Sequence, residues 1–303
     1  MQSTLTTTVS KEQTRASLTV FVSCCTFHNT KLPEDYVRRS SIIVAGASLA
    51  FLACELAGPR TEPLFIDGRA VAVSSDSVLA ITAAGVSGVL LIDQRTGARQ
   101  SIGADQLTSP VHVQWNEGRL YVSDVDGGRP QVVVFAPGGE LLDRIDLGPI
   151  AAVAHQFAVL PDGQIVFETT DDRLVALQGD SIDTFALNDP SPKTGMLVAA
   201  RGGVLHAVPH RTLTLYNGLG RINWRVEWPW EESLFIADLA MDSRRRPLVL
   251  AGVAGSEGFV VFALDPISGE VTMWTEGPSA TFSTRTYGNI RPDSAGNWIG
   301  VNR

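Results

Sequence analysis

The sequence predicts an all-β fold, a six-bladed β-propeller of four-stranded antiparallel blades whose last blade is incomplete or closed by the N-terminal strand. Three observations carry that expectation. Short β-branched and aromatic runs begin near residue 65 and alternate with Gly, Asp and Asn turns. Two families of turns recur with a period near 42 residues. No amphipathic helical pattern interrupts the strands.

Composition sets the frame. A chain of 303 residues, 44% hydrophobic and 18% charged, can build a packed core and is not a disordered polymer. Its net charge of -8 argues against nucleic acid as a partner, because neutralising phosphates needs clustered Lys and Arg. The one basic run, Arg244, Arg245 and Arg246, falls in a predicted hairpin turn and reads as a solvated turn. All three cysteines, Cys24, Cys25 and Cys54, precede the repeats, so the repeat region has neither a disulfide framework nor a cysteine zinc site.

The N-terminal region divides by composition. Residues 1–36 form a Thr- and Ser-rich lead, expected to be disordered and consistent with a gene start set too far upstream. Residues 37–54 read as an export signal: Arg38 and Arg39, then the apolar stretch 42–53, too short for a comfortable membrane-spanning helix. Phe51, Leu52, Ala53 and Cys54 resemble a bacterial lipobox, which implies lipidation at Cys54; Ala53 fits, while Phe51 and Leu52 depart from the usual pattern. The alternatives are cleavage to a soluble periplasmic or secreted form, and an uncleaved apolar anchor or a buried helix. Residues 55–62 read as a linker and 63–303 as the propeller, so that residues 1–60 are expected to lie outside the fold.

The repeat defines the blade. One turn family falls at Asp76, Gly118, Gly163, Gly203, Arg245 and Gly296, with steps of 42, 45, 40, 42 and 51. The other falls at Gly97, Gly139, Gly179, Leu219 and Gly269, with steps of 42, 40, 40 and 50. Two families in register give one four-stranded unit per period, with strands A to D running from inside to outside. The first family joins A to B and the second joins C to D. Gly and Asn supply the positive φ of tight hairpins. A lone four-stranded meander cannot bury both of its faces, and radial packing of successive meanders can. Six A–B turns against five C–D turns leave the last blade short, and residues 62–66 can supply one closing strand.

Two segments carry a family resemblance. Gly118-Arg119-Leu120-Tyr121-Val122-Ser123-Asp124 followed by residues 131–140, and residues 242–250 followed by 260–266, resemble NHL-type blades. Over about 63–303 the chain resembles the bacterial six-bladed NHL-like propellers. That resemblance implies ligand binding at the mouth of the central channel, among the loops that lead into inner strands and the B–C loops.

Candidate site residues follow from that placement. The related gluconolactonase-like propellers imply one divalent cation in an oxygen cage. Asp124, Glu168, Asp238 and Asn289 are the candidate ligands and His155 the candidate base. Against this, Asp124 sits where NHL-like blades carry a strand-end Asp that bonds turn amides, and Glu168 reads equally as a solvent-facing side chain. His112 alternates with Val111 and Val113 and reads as a packing residue. Trp224, Trp228 and Trp230 flank one loop; Trp224 and Trp228 suit packing between blades, and Trp230 suits a sugar or protein partner. Arg211 and Arg285, if they face the channel, could hold an anion. Nucleophile-elbow, phosphate-loop and dinucleotide motifs are absent from the sequence.

The expected function is a non-enzymatic ligand- or protein-binding scaffold of the bacterial cell envelope, periplasmic or attached to the outer membrane as a lipoprotein. It is expected to be a monomer without cofactor, to bind an envelope protein or a small ligand through His155, Arg211, Trp230 or Arg285, and to meet the membrane only through its N-terminal lipid or signal anchor. The alternatives are a metal-dependent hydrolase or lactonase and a carbohydrate-binding propeller.

Overall fold

The computed structural model describes residues 3–5, 20–24, 68–83, 85–150, 152–189, 195–208, 212–228, 234–242, 245–253, 259–276, 287–292 and 297–302. Two short strands come first, β1 (Ser3–Leu5) and β2 (Val20–Cys24). Five four-stranded antiparallel blades of consecutive strands follow. Blade 1 holds β3 (Gly68–Val73), β4 (Val78–Ala83), β5 (Val89–Asp93) and β6 (Arg99–Ile102). Blade 2 holds β7 (Pro110–Asn116), β8 (Arg119–Asp126), β9 (Arg129–Phe135) and β10 (Leu141–Asp146). Blade 3 holds β11 (Ala152–Val159), β12 (Ile165–Thr169), β13 (Leu174–Gln178) and β14 (Ser181–Phe185). Blade 4 holds β15 (Met196–Ala200), β16 (Gly203–Val208), β17 (Thr212–Asn217) and β18 (Ile222–Glu227). Blade 5 holds β19 (Leu234–Met241), β20 (Pro247–Val253), β21 (Phe259–Leu264) and β22 (Val271–Glu276).

The sequence expected six blades; five are made of consecutive strands. The remaining hairpin, β23 (Tyr287–Pro292) and β24 (Asn297–Asn302), belongs to a sheet of mixed origin ordered β1-β2-β24-β23. Ser23 lies opposite Trp298 and Cys24 opposite Asn297. Part of the segment expected to stay outside the fold is therefore paired. The physical reason is the free edge of β24, whose N–H and C=O groups the β-prone run Val20–Cys24 partly satisfies. Residues 62–66, expected to supply that strand, lie outside the described residues.

The burial pattern explains why the chain forms blades. The middle strands are apolar on both faces: β12 and β16 are buried at every position, and β9 at its last five. The outer strands are not; β10 and β14 carry mostly exposed side chains. A sheet buried on both faces at its centre must be sandwiched between neighbours, and the core is accordingly layered. Ala70, Ala72, Leu91, Val113, Val122 and Phe135 fill the layer between blades 1 and 2. Tyr121, Val132, Phe157 and Phe167 fill the next. Leu174, Phe185, Val204 and Tyr216 lie between blades 3 and 4, and Leu215, Trp224, Leu239 and Phe262 between blades 4 and 5. A fully buried Phe contributes about 1.5–3 kcal/mol in each layer.

The inner strands form a ring. β3 lies beside β7, β7 beside β11, β11 beside β15, β15 beside β19, β19 beside β23, and β23 beside β3. Side-chain amides stitch it. Gln114 of β7 accepts from Val159 N at 3.1 Å and donates to Val159 O at 3.2 Å, and Asn116 donates to Leu160 O. Gln156 of β11 accepts from Leu197 N at 2.8 Å. The guanidinium of Arg69 in β3 donates to the Ser109 hydroxyl and to Pro110 O. Tight turns close each blade; at the A–B turn of blade 2 both Glu117 (φ 48) and Gly118 (φ 76) take the positive φ of a type I′ hairpin.

Candidate functional site

Strands alternate in direction, so each blade sends its B–C loop and the D–A loop before it to one face, and its A–B and C–D turns to the other. The first face gathers the described loop residues 85–88, 103–109, 127–128, 147–150, 170–173 and 186–189. This is the face where the sequence reading places ligand contacts.

Asp124 lies near the end of β8 on this face and is fully buried. Its carboxylate accepts from Ser109 N at 2.6 Å, from Thr108 N at 3.1 Å and from the Gln131 amide at 2.8 Å. Gln131 in turn accepts from Arg144, whose other terminal nitrogen donates to Gln106 O at 2.9 Å. One carboxylate and one guanidinium thus hold the loop before β7 at both ends of residues 106–109. Asp124 acts here as the strand-end group that bonds turn amides.

Glu168 lies in β12 and is buried, not solvent-facing; its carboxylate accepts from Gly195 N, 3.2 Å away, at the start of blade 4. The interior position follows from the inter-blade layer, which leaves β12 no exposed face. Asp238 is buried in β19 just after the bulge between Ile236 and Asp238, and its carboxylate accepts from Leu239 N at 2.8 Å. Asn289 follows a bulge in β23 at the corresponding place beside Val301. Bulges re-aim the residues around them. The three described carboxylates sit in three different blades, and among the described residues no group of three or more His, Cys, Asp or Glu could hold a metal ion. His155 lies in β11; Cys54, Arg211, Trp230 and Arg285 lie outside the described residues.

The other tryptophans are structural. Trp224 is buried, donates its indole N–H to Pro266 O at 3.1 Å, and packs against Gly269 of blade 5. Trp228 donates to Leu234 O at 2.7 Å and meets Phe262 edge-on. His112 packs edge-on against Phe157 at 5.1 Å.

A buried polar group that sequence reasoning missed joins blades 3 and 4. Asp189, in the loop before β15, accepts from the Tyr216 hydroxyl and from the Arg225 guanidinium. Arg225 also donates to the Thr214 hydroxyl at 3.0 Å. Burial, and after it the Asp189 carboxylate, holds the Tyr216 hydroxyl well above its ordinary range. The available signal was faint: an arginine in each of β10 and β18, the same distance after the C–D turn glycine, each tied to the loop ahead of its own blade.

Four-stranded antiparallel sheets arranged around a ring of inner strands, with loops converging on one face, define an all-β propeller. The solved structures agree on that class. The chain is similar to a protein of unknown function from Bacteroides caccae (TM-score 0.55, 15% identity, covering 76% of this chain and 88% of that one). It is similar to a catalytically inactive virginiamycin B lyase from Staphylococcus aureus with quinupristin (TM-score 0.54, 12% identity, 77% of each chain). A further structural genomics protein of unknown function from Bacteroides thetaiotaomicron matches with TM-score 0.55 and 11% identity over 81% of this chain and 71% of that one. At such identities the likeness concerns the fold. No protein-family profile and no curated protein matches the chain.

Proposed function

We propose that the chain is a non-enzymatic binding scaffold of the bacterial cell envelope, which presents a preordered loop face to a small ligand or a protein partner. One observation supports this reading above others. Two buried carboxylates are occupied with holding loop backbone: Asp124 with the amides of residues 108 and 109, and Glu168 with that of Gly195. Loops fixed in this way bind with less ordering cost. On the same reading the mixed sheet acts as a sixth, closing blade between blades 5 and 1, where β23 lies against β19 and β3. Residues 37–54 direct export with lipidation at Cys54, and His155, Arg211, Trp230 and Arg285 contribute to the ligand face.

The test is elemental analysis of the purified chain combined with partner capture from envelope extracts. The scaffold reading expects no stoichiometric divalent metal, and a captured partner that is lost on Trp230→Ala or Arg211→Ala. A stoichiometric metal that disappears in Asp238→Asn or Glu168→Gln overturns it in favour of a metal-dependent hydrolase of the kind the gluconolactonase-like resemblance implies.

A further inference from the structure

The face opposite the ligand loops changes character between blades 3 and 4. In blade 3 its turns carry the exposed acids Asp162 and Asp180 and no basic residue. In blade 4 they carry Arg201 and Arg221 and no acid. In blade 5 Arg245 is exposed, Arg246 is paired with Asp242, and Asp265 is engaged by the amides of Ile267 and Ser268, which leaves Glu270 as the exposed acid. The guanidiniums of Arg201, Arg221 and Arg245 form no ion pair among the described residues.

Among the described residues, the same sector holds the two most exposed large apolar side chains. Ile267 is 85% exposed and Leu219 81%, with Ile222 at 43%. They belong to one stretch of surface. Trp224, two residues after Ile222, donates to Pro266, next to Ile267. Leu219 and Ile267 occupy the tips of the C–D turns of consecutive blades. At the corresponding tips blade 1 has Arg95 and Thr96, blade 2 has Gly138, and blade 3 has Asp180. The repeat therefore supplies its own comparison: three blades keep this tip polar or bare, and two expose a large aliphatic group to solvent.

We infer that this sector docks onto an anionic phospholipid surface. Leu219 and Ile267 enter the interfacial layer, and Arg201, Arg221 and Arg245 meet the headgroup phosphates. Aliphatic tips flanked by guanidiniums match an interface whose outer layer is anionic and whose inner layer is apolar. The net charge of -8 sits largely elsewhere and opposes binding except where this sector faces the membrane. The loop face then points away from the lipid and stays open to its ligand. The inference is independent of the proposed function, and of lipidation at Cys54, because it concerns a different face and different residues.

Co-sedimentation of the full chain with vesicles tests it. Binding is expected to vesicles of phosphatidylcholine mixed with phosphatidylglycerol, and to fall steeply with added salt or with phosphatidylcholine alone. Arg221→Gln is expected to weaken it about fivefold. The double variant Leu219→Ser with Ile267→Ser is expected to weaken it at least about tenfold. Both variants change exposed turn residues, so their melting temperatures serve as a check of folding. Val86→Ser, an exposed apolar residue of the ligand face, is expected to leave binding unchanged. Any vesicle affinity of the N-terminal segment is common to all variants and cancels in the comparison. Equal binding by wild type and the double variant, or an equal loss in Val86→Ser, overturns the inference. So does wild-type self-association that the double variant abolishes without any vesicle binding, which would assign the patch to a second copy of the chain.

Discussion

The hydroxyl of Tyr216 donates a hydrogen bond to the carboxylate of Asp189, and the same carboxylate holds the guanidinium of Arg225. The pair spans two blades: Tyr216 lies in β17 of blade 4, and Asp189 in the connection arriving from blade 3. In blade 2 the residue placed the same way before the C–D turn glycine is Phe135, fully buried in an apolar layer. The position thus accommodates a ring, and blade 4 adds a polar link to it.

Tyr216→Phe is expected to destabilise the protein by about 1 kcal/mol, because Asp189 retains Arg225 as a partner. Asp189→Ala is expected to cost about 2–3 kcal/mol, since it leaves a buried hydroxyl and a partly buried guanidinium without their acceptor. The folded state holds Tyr216 protonated above its ordinary value. Its contribution is therefore complete below a pH of about 10, where the unfolded tyrosine stays neutral, and is lost as pH rises beyond that. Urea midpoints measured across alkaline pH should fall for wild type, and Tyr216→Phe should lack this component of the slope. Parallel slopes would show that Tyr216 does not titrate as the burial requires.

Two glycines separate backbone strain from steric conflict. Gly163 (φ +85) and Gly269 (φ +76) both sit in turns with left-handed backbone. A Cβ on Gly163 meets nothing within 4 Å, whereas one on Gly269 lies 2.6 Å from Cε3 of Trp224. Gly163→Ala is expected to cost about 1 kcal/mol from conformation alone. Gly269→Ala adds overpacking of the indole between blades 4 and 5 and is expected to cost about 3 kcal/mol. Denaturant midpoints decide; equal losses would mean that Trp224 moves freely at that junction.

Asp124 offers a direct contrast between a loop anchor and a cation ligand. Its oxygens are engaged by two loop amides and the Gln131 side chain. Asp124→Ala is expected to cost about 3 kcal/mol and to speed amide hydrogen exchange at residues 108 and 109, since both donors lose a buried acceptor. A cation ligand would behave oppositely: removing it would relieve repulsion, and the apo chain would keep or gain stability.

These particulars show what a single sequence makes legible. The blade period is readable because each hairpin needs a residue tolerant of positive φ, and Gly97, Gly118, Gly139 and Gly163 stand where the turns fall. Trp224 and Trp228 are readable as packing residues because an indole beside an apolar strand has few other uses. The contacts that tie blade to blade are not readable. Gln114 reaches Val159, Glu168 reaches Gly195, and Arg225 reaches Asp189 across 45, 27 and 36 residues, with no local pattern to mark them. The placement of Glu168 depends on the neighbouring blade, not on its own strand. The pairing of β2 with β24 is the extreme case, since it joins the two ends of the chain.

That pairing gives the last prediction. If the export signal is cut before Cys54, β1 and β2 leave with it, and the edge of β24 that faces Ser23 and Cys24 is released. An exposed, unpaired edge next to the inner ring invites aggregation. On the export reading, residues 62–66, with Leu64, Phe65 and Ile66 as a β-prone core, take the vacated place after cleavage. The mature chain starting at Cys54 is then expected to be monomeric and to melt within a few degrees of the precursor, a shift corresponding to about 1 kcal/mol or less. On that reading, Phe65→Asp is expected to lower the melting temperature of the mature chain and to leave the precursor unaffected. Intact mass of the envelope-localised protein fixes the cleavage point. A mature chain that aggregates, or a precursor equally sensitive to Phe65→Asp, would make Val20–Cys24 a permanent strand of the fold and reject cleavage at Cys54.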